Sequence, residues 1–187
     1  MGYGDYPDLS SVKKILVIKL RHLGDVLLTT PLFTTLKKAL PHASLHAYVY
    51  QDALPLLEGH PAIDALLTYD PAVKKRSWPH RLLSELSLWR RIRKEGYDLV
   101  LNLTEGDRGA LAAKLSGAPI RVGFPPKGKW QRKLYTHLVK HPPSLRHTVE
   151  KNLDLLRRIG LFPAEDERAL SLPPLPTHSW SDEPFIL

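Results

Sequence analysis

The chain has 187 residues, 43% of them hydrophobic, enough for one ordinary domain with its own core and cramped for two. It has no cysteine, so disulfide frameworks and thiolate metal sites are excluded, and no apolar run approaches the ~18 residues or more of a membrane span. The formal net charge of +8 favours an anionic partner, whether nucleic acid, a phosphorylated sugar or a membrane surface.

Apolar runs alternate with helical patterns, the mark of a doubly wound α/β sheet. Lys14 to Leu20 reads as the first strand. It hands over to a turn, Arg21-His-Leu-Gly-Asp25, at the carboxyl end of a strand, where open parallel sheets bind ligands. Asp25 suits two roles there: a general base, with Gly24 allowing a ligand to approach closely, or an N-cap for the following helix. Arg21 and His22 share the turn, and a cation beside Asp25 would keep it ionised.

Val26 to Leu40 is the first helical segment, with Leu28, Leu32, Leu36 and Leu40 on one face and Pro41 as a stop. Pro31 lacks an N–H, so this helix either begins at Thr30 or is kinked there. Ser44 to Tyr50 and Ala65 to Tyr69 are the second and third strands. Pro79 to Glu95 is a helix with Leu82, Leu86, Trp89 and Ile92 on one face, and Arg90, Arg91, Arg93 and Lys94 in its last turns, where cations suit the helix dipole. Tyr97 to Leu103 is the fourth strand, and Thr104-Glu-Gly-Asp-Arg108 its carboxyl-end loop. If this loop shares a crevice with the first turn, Glu105, Asp107 and Arg108 can contact a polyhydroxylated or charged ligand; otherwise it is a solvated turn.

Ile120 to Phe124 is the fifth strand, followed by Phe124-Pro-Pro-Lys-Gly-Lys-Trp-Gln-Arg-Lys133. Four cations and Trp130 make this loop either a holder of phosphate, lipid headgroups or nucleic acid, or an exposed turn. Arg146 to Ile159 is the last amphipathic helix, through Val149, Leu153, Leu156 and Ile159, with Gly160 as its C-cap. The first domain therefore spans 1–171. Leu172-Pro-Pro-Leu-Pro-Thr-His178 reads as an extended linker, and Pro184-Phe-Ile-Leu187 as the opening of a further strand, so 172–187 is expected to lead into a missing second domain. No G-x-G-x-x-G or Walker pattern is present, and the nine histidines lack metal-ligand spacing, so no metal and no bound cofactor are expected. No secretory pattern opens the chain, which fits a cytosolic protein.

The segment from Ile15 through Arg21-His-Leu-Gly-Asp25 to Thr29-Thr-Pro31 resembles the signature of the ADP-heptose:lipopolysaccharide heptosyltransferases, glycosyltransferase family 9. Pro41, Glu58-Gly-His-Pro-Ala-Ile-Asp64, Asn102-Leu-Thr-Glu-Gly-Asp-Arg-Gly109 and His147-Thr-Val-Glu150 extend the likeness over nearly the whole chain. Within the family, Leu103 to Arg108 looks most like the branch that adds a side heptose to the inner core. The resemblance implies a Rossmann-like domain that is the amino-terminal, acceptor-binding half of a GT-B enzyme, with ADP-heptose bound by a carboxyl-terminal half absent here. It implies that Asp25 is the catalytic base in an inverting transfer of heptose to the lipopolysaccharide inner core. It further implies a peripheral position at the cytoplasmic face of the inner membrane. Arg21, Arg108, Arg121, Lys127 and Lys129 are then the residues expected to meet the acceptor's carboxylates and phosphates, alongside His22, Gly24, Glu105 and Asp107. Arg21 and His22 stand where some relatives carry small polar residues. Two other readings remain: a non-catalytic module that binds anionic glycolipid or docks on a partner, and a nucleic-acid binder. The second rests on charge alone, and no nucleic-acid motif supports it.

Overall fold

The structure is a computed structural model that describes residues 6–75, 77–126, 128–139 and 146–173. The expected linker and strand at 174–187, and Lys127, lie outside the described residues.

Six parallel strands form one sheet in the order β3-β2-β1-β4-β5-β6, where β1 is Lys14–Lys19, β2 Ser44–Tyr50, β3 Ala65–Tyr69, β4 Leu99–Asn102, β5 Ile120–Gly123 and β6 His137–Leu138. The first five match the expected strands: β2 and β3 keep the expected bounds, and β1, β4 and β5 are trimmed at their ends. The sixth is a two-residue edge strand beside Val122 and Gly123, too short for any sequence period to announce it.

The central strand explains why helices cover both faces. Ile15 and Val17 point into a core shared with Leu32, Phe33 and Leu36 of α2 (Thr30–Ala39) and Leu153 and Leu156 of α7 (Thr148–Arg157). Leu16 and Ile18 point the other way, toward Ile92 of α4 (Trp78–Lys94) and Ala112 and Ala113 of α5 (Asp107–Leu115). A strand buried on both faces reads as an unbroken apolar run rather than an alternating one, as Ile15 to Ile18 does.

The first helical segment is two helices rather than one. A short α1 (Leu23–Leu27) precedes α2, and Pro31 lies in the first turn of α2, where its missing N–H costs nothing. Three further elements lack a sequence period of their own: α3 (Leu54–Leu57), α5 and α6 (Lys129–Arg132). The α4 face also differs from expectation, because Ile92 is fully buried while Leu82 lies about half exposed. At the end of α7, Gly160 takes φ 87°, its N–H bonds the Arg157 carbonyl, and Leu161 N–H returns to the Leu156 carbonyl. This paired closure needs a left-handed residue, so glycine belongs there.

Candidate functional site

The chain reverses direction across the sheet between β1 and β4, so the loops that leave their carboxyl ends splay to opposite faces and open a crevice. The two walls are tied together. Leu20 N–H donates to Thr104 Oγ1 at 2.7 Å, and Thr104 N–H donates to Asn102 Oδ1 at 3.0 Å. Gly106, with φ 122°, turns the second loop into α5 through a conformation that side-chain-bearing residues rarely adopt.

A cleft of about 490 Å³ lies in this crevice, bordered by Lys19, Arg21, Asp25, Glu105, Lys151 and Asn152 among others. A second hollow of about 410 Å³ adjoins it, sharing Arg21, Glu105, Phe124 and Pro125 and adding Gln131 and Tyr135. Monosaccharide-sized ligands fit spaces of this order.

Asp25 lies in the first turn of α1, half-buried, and is not the N-cap, a position held by His22 without a side-chain bond. Thr29 Oγ1 and the Asp25 main-chain carbonyl bond each other, but among the described residues the Asp25 carboxylate has no hydrogen-bond partner. The capping alternative for Asp25 is therefore removed. An ionised carboxylate at a cleft wall with unused lone pairs can accept a proton from a bound hydroxyl. Gly24 is exposed, with open space around the position of a Cβ, so a ligand can approach there.

Lys19 forms the floor. It is 4% exposed, and its Nζ donates to Asn152 Oδ1 at 3.3 Å. Asn152 in turn donates to the Leu28 carbonyl at 2.8 Å, tying α7 to the junction of α1 and α2. Burial pulls the Lys19 ammonium down to about 8; Asp25 and Glu105 oppose this, and Arg21 adds to it. The sequence reading passed over Lys19 as part of the strand and over Asn152 as part of a helix. The available signal was a lysine interrupting the apolar run of a central strand, which demands a partner or a purpose.

The other expected site residues fall into distinct places. Arg21 and Glu105 face each other across the cleft mouth at 3.9 Å, both solvent-exposed, a weak pairing that a ligand can displace. His22 borders a smaller hollow of about 310 Å³ together with Asp107 and Arg108. Asp107 begins α5, and its carboxylate is bonded by the Gln131 side chain. Arg108 is occupied: it makes two bonds of 2.7 Å to Glu85 and lies 3.9 Å over the Tyr69 ring. Burial works against its charge, but Glu85 outweighs that and holds its pKa above the usual arginine value. Arg121 is likewise spent on main-chain carbonyls, those of Leu134 at 2.8 Å and Ala118 at 2.5 Å, and does not border the cleft. Lys129 is exposed on α6 and does not border it either. Of the cations expected at the anionic ligand, Arg21 stands in the cleft, and Lys19 and Lys151 join it. No cluster of three or more metal-ligating side chains occurs among the described residues.

Residues 85–173 match the profile described as glycosyltransferase family 9 (heptosyltransferase). A lipopolysaccharide heptosyltransferase 3 of Escherichia coli K12 is 36% identical over 146 residues, which is 76% of this chain and 41% of that protein. The lipopolysaccharide core heptosyltransferase OpsX of Haemophilus influenzae is 24% identical over 86% of this chain and 44% of its own length. Among solved structures, the glycosyltransferase family 9 protein of Veillonella parvula superposes with a TM-score of 0.69 at 30% identity, covering 80% of this chain and 42% of that one. Heptosyltransferase II of E. coli superposes at 0.65 and 21% identity, covering 89% and 47%, a likeness of fold. The chain thus spans less than half the length of the curated relatives it matches.

Proposed function

We propose, from a chain akin to part of the glycosyltransferase family 9 heptosyltransferases, that it is the acceptor-binding half of an ADP-heptose-dependent transferase acting on the lipopolysaccharide core. The observation that carries this reading is Asp25: a carboxylate at the sheet's topological switch point, bordering a sugar-sized cleft and free of hydrogen-bond partners among the described residues. The relatives named as lipopolysaccharide heptosyltransferases supply the substrate class, and a further domain is required to bind the donor.

This reading carries a defined chemistry. An acceptor hydroxyl placed within hydrogen-bond reach of Asp25 passes its proton to the carboxylate as its oxygen bonds to the anomeric carbon of heptose. The bond from that carbon to the diphosphate breaks on the opposite face, so ADP departs with the electron pair and the configuration inverts. Proton transfer to a positioned base contributes about 100-fold to 10,000-fold. The remainder depends on holding donor and acceptor in line, which this half alone cannot do.

The acceptor is a lipid-anchored glycan, so the working position of this half is at a membrane face. Supporting this, Trp78 at the start of α4 is 77% exposed, and Leu82, one turn on and bordering the same hollow, is about half exposed. Among the described residues no helix is long and apolar enough to cross a membrane. On this reading the membrane face is the cytoplasmic face of the inner membrane.

Calorimetric titration of the 187-residue chain with purified, truncated lipopolysaccharide core tests the reading. Saturable binding that weakens with salt, and weakens again for core lacking phosphate, is expected. Heat indistinguishable from dilution at both low and high salt would overturn it.

A further inference from the structure

We infer that the floor of the cleft is an oxyanion subsite, in which the Lys19 ammonium, the rim lysine Lys151 and the first turn of α7 grip a phosphate or carboxylate carried by the sugar whose hydroxyl Asp25 deprotonates. The inference deepens the acceptor reading and rests on it for the identity of the sugar, but not for the existence of the subsite.

Three independent features converge on one wall. The first is Lys19 itself. A lysine on the central strand of the sheet, 4% exposed, ordinarily finds a carboxylate; among the described residues this one has a single hydrogen bond, of 3.3 Å to an amide oxygen. An ammonium has three N–H donors, so two are left to face the cleft that Lys19 borders. The second is α7. Thr148, Lys151 and Asn152, all in its opening turn and a half, border the same cleft, so the positive pole of a ten-residue helix faces it. The third is the sign of the rim, where Arg21 and Lys151 add two cations. Asp25 and Glu105 are the acidic groups around the same space. Asp25 is needed as a base, and Glu105 faces Arg21 across the cleft mouth.

The energetic logic is that burying an ammonium with one neutral partner is costly, and an arriving anion relieves that cost. Such a lysine gains more from an oxyanion than a solvated surface lysine does, because little water has to be displaced from it. The cations read from the sequence do not supply this grip: Arg108 is held by Glu85, and Arg121 by main-chain carbonyls. Burial holds Lys19 near 8 in the free chain, so an anion that restores its ordinary basicity also draws a proton from solution at pH near 8.

The test uses the whole chain labelled with lysine carrying ¹³C at Cε, with the Lys19 signal assigned by its disappearance in Lys19→Met. Inorganic phosphate, glucuronate and glucose are titrated separately at fixed ionic strength. The expected result is saturable movement of the Lys19 signal with phosphate, glucuronate or both, none with glucose, and proton uptake at pH 8. Phosphate alone moving the signal assigns the subsite to a phosphorylated core sugar, and glucuronate alone to a sugar acid. Lys19→Met weakens the binding by about tenfold to a hundredfold, the loss expected for a hydrogen bond to a charged group. Lys151→Glu, a rim change that leaves the core untouched, weakens it about fivefold or more and serves where Lys19→Met fails to fold. Asp25→Asn binds the anion as well as the native chain or more tightly. The inference is overturned by a Lys19 signal that no anion moves, by equal response to glucose, or by a folded Lys19→Met with unchanged affinity. Anion binding that survives while Asp25→Asn retains full transfer in a complete enzyme would sink the base and spare the subsite; the converse pattern would do the opposite.

Discussion

Replacing Glu85 by alanine tests whether Arg108 belongs to the scaffold or to the ligand. The pair links α4 to α5 through two parallel bonds, Nη1 to Oε2 and Nη2 to Oε1, each 2.7 Å, and the guanidinium lies 3.9 Å over the Tyr69 ring. The Glu85 side chain is 10% exposed and that of Arg108 is 24% exposed. Removing one partner of a buried pair costs about 3–5 kcal/mol, chiefly because the other charge is left without compensation. Arg108 has a quarter of its surface in water, which rescues part of that, so about 2–3 kcal/mol is expected. For a chain of this size that lowers Tm by roughly 4–12 °C. Urea unfolding followed by circular dichroism measures it, with Arg108→Met and the double variant completing a cycle. The double variant is expected to be less destabilised than the two single losses summed, since it leaves no orphaned charge. A Glu85→Ala loss under about 0.5 kcal/mol, together with an Arg108→Met chain that is fully stable but no longer binds lipopolysaccharide core, would return Arg108 to the ligand and refute the structural assignment.

Other consequences follow from single contacts. A Cβ on Gly123 would collide with the Tyr135 ring, so Gly123→Ala displaces Tyr135 and costs about 1–3 kcal/mol by thermal unfolding; a neutral effect would mean that the ring is not packed there. Tyr135→Phe removes the acceptor that Asn102 Nδ2 reaches at 2.6 Å and is expected to lose about 1 kcal/mol in the same assay, with equal stability as the contrary result. Lys19 titrates near 8 in the folded chain against an ordinary 10.5, so between these values the unfolded chain holds a proton that the folded one has released. Its contribution therefore makes stability rise with pH across that window. Lys19→Met is expected to flatten the rise between pH 8 and 10 and to add about 1–3 kcal/mol near pH 7, read by urea unfolding at several pH values. A slope identical to the native one would contradict the burial of a charged Lys19.

What was legible in the sequence was whatever repeats along it. The five longer strands and α2, α4 and α7 declared themselves through apolar runs or helical faces, because each buries enough of its own surface to leave a pattern. Strand β6 and helices α1, α3 and α6 have five residues or fewer and exist because neighbours supply their partners. Helix α5 is longer but alanine-rich, and its residues Ala110, Ala112 and Ala113 pack closely without a large apolar stripe to betray it. The site divided along the same line. The turn holding Arg21, His22, Gly24 and Asp25 was visible because it follows a strong strand. The fates of Arg108 and Arg121 were not visible, since their partners Glu85 and Leu134 lie 23 and 13 residues away. Lys19 and Asn152, 133 residues apart, meet only once the sheet and α7 have closed on each other.

The central claim is that Asp25 takes the proton from the acceptor. The measurement that meets it most directly is turnover of an enzyme in which this chain is joined to an ADP-heptose-binding domain, comparing Asp25 with Asp25→Asn. The account predicts a fall of about 100-fold or more in kcat for the variant. It also predicts that lipopolysaccharide core and ADP-heptose still bind to the variant. Equal kcat would show that the proton leaves by another route and would contradict the account.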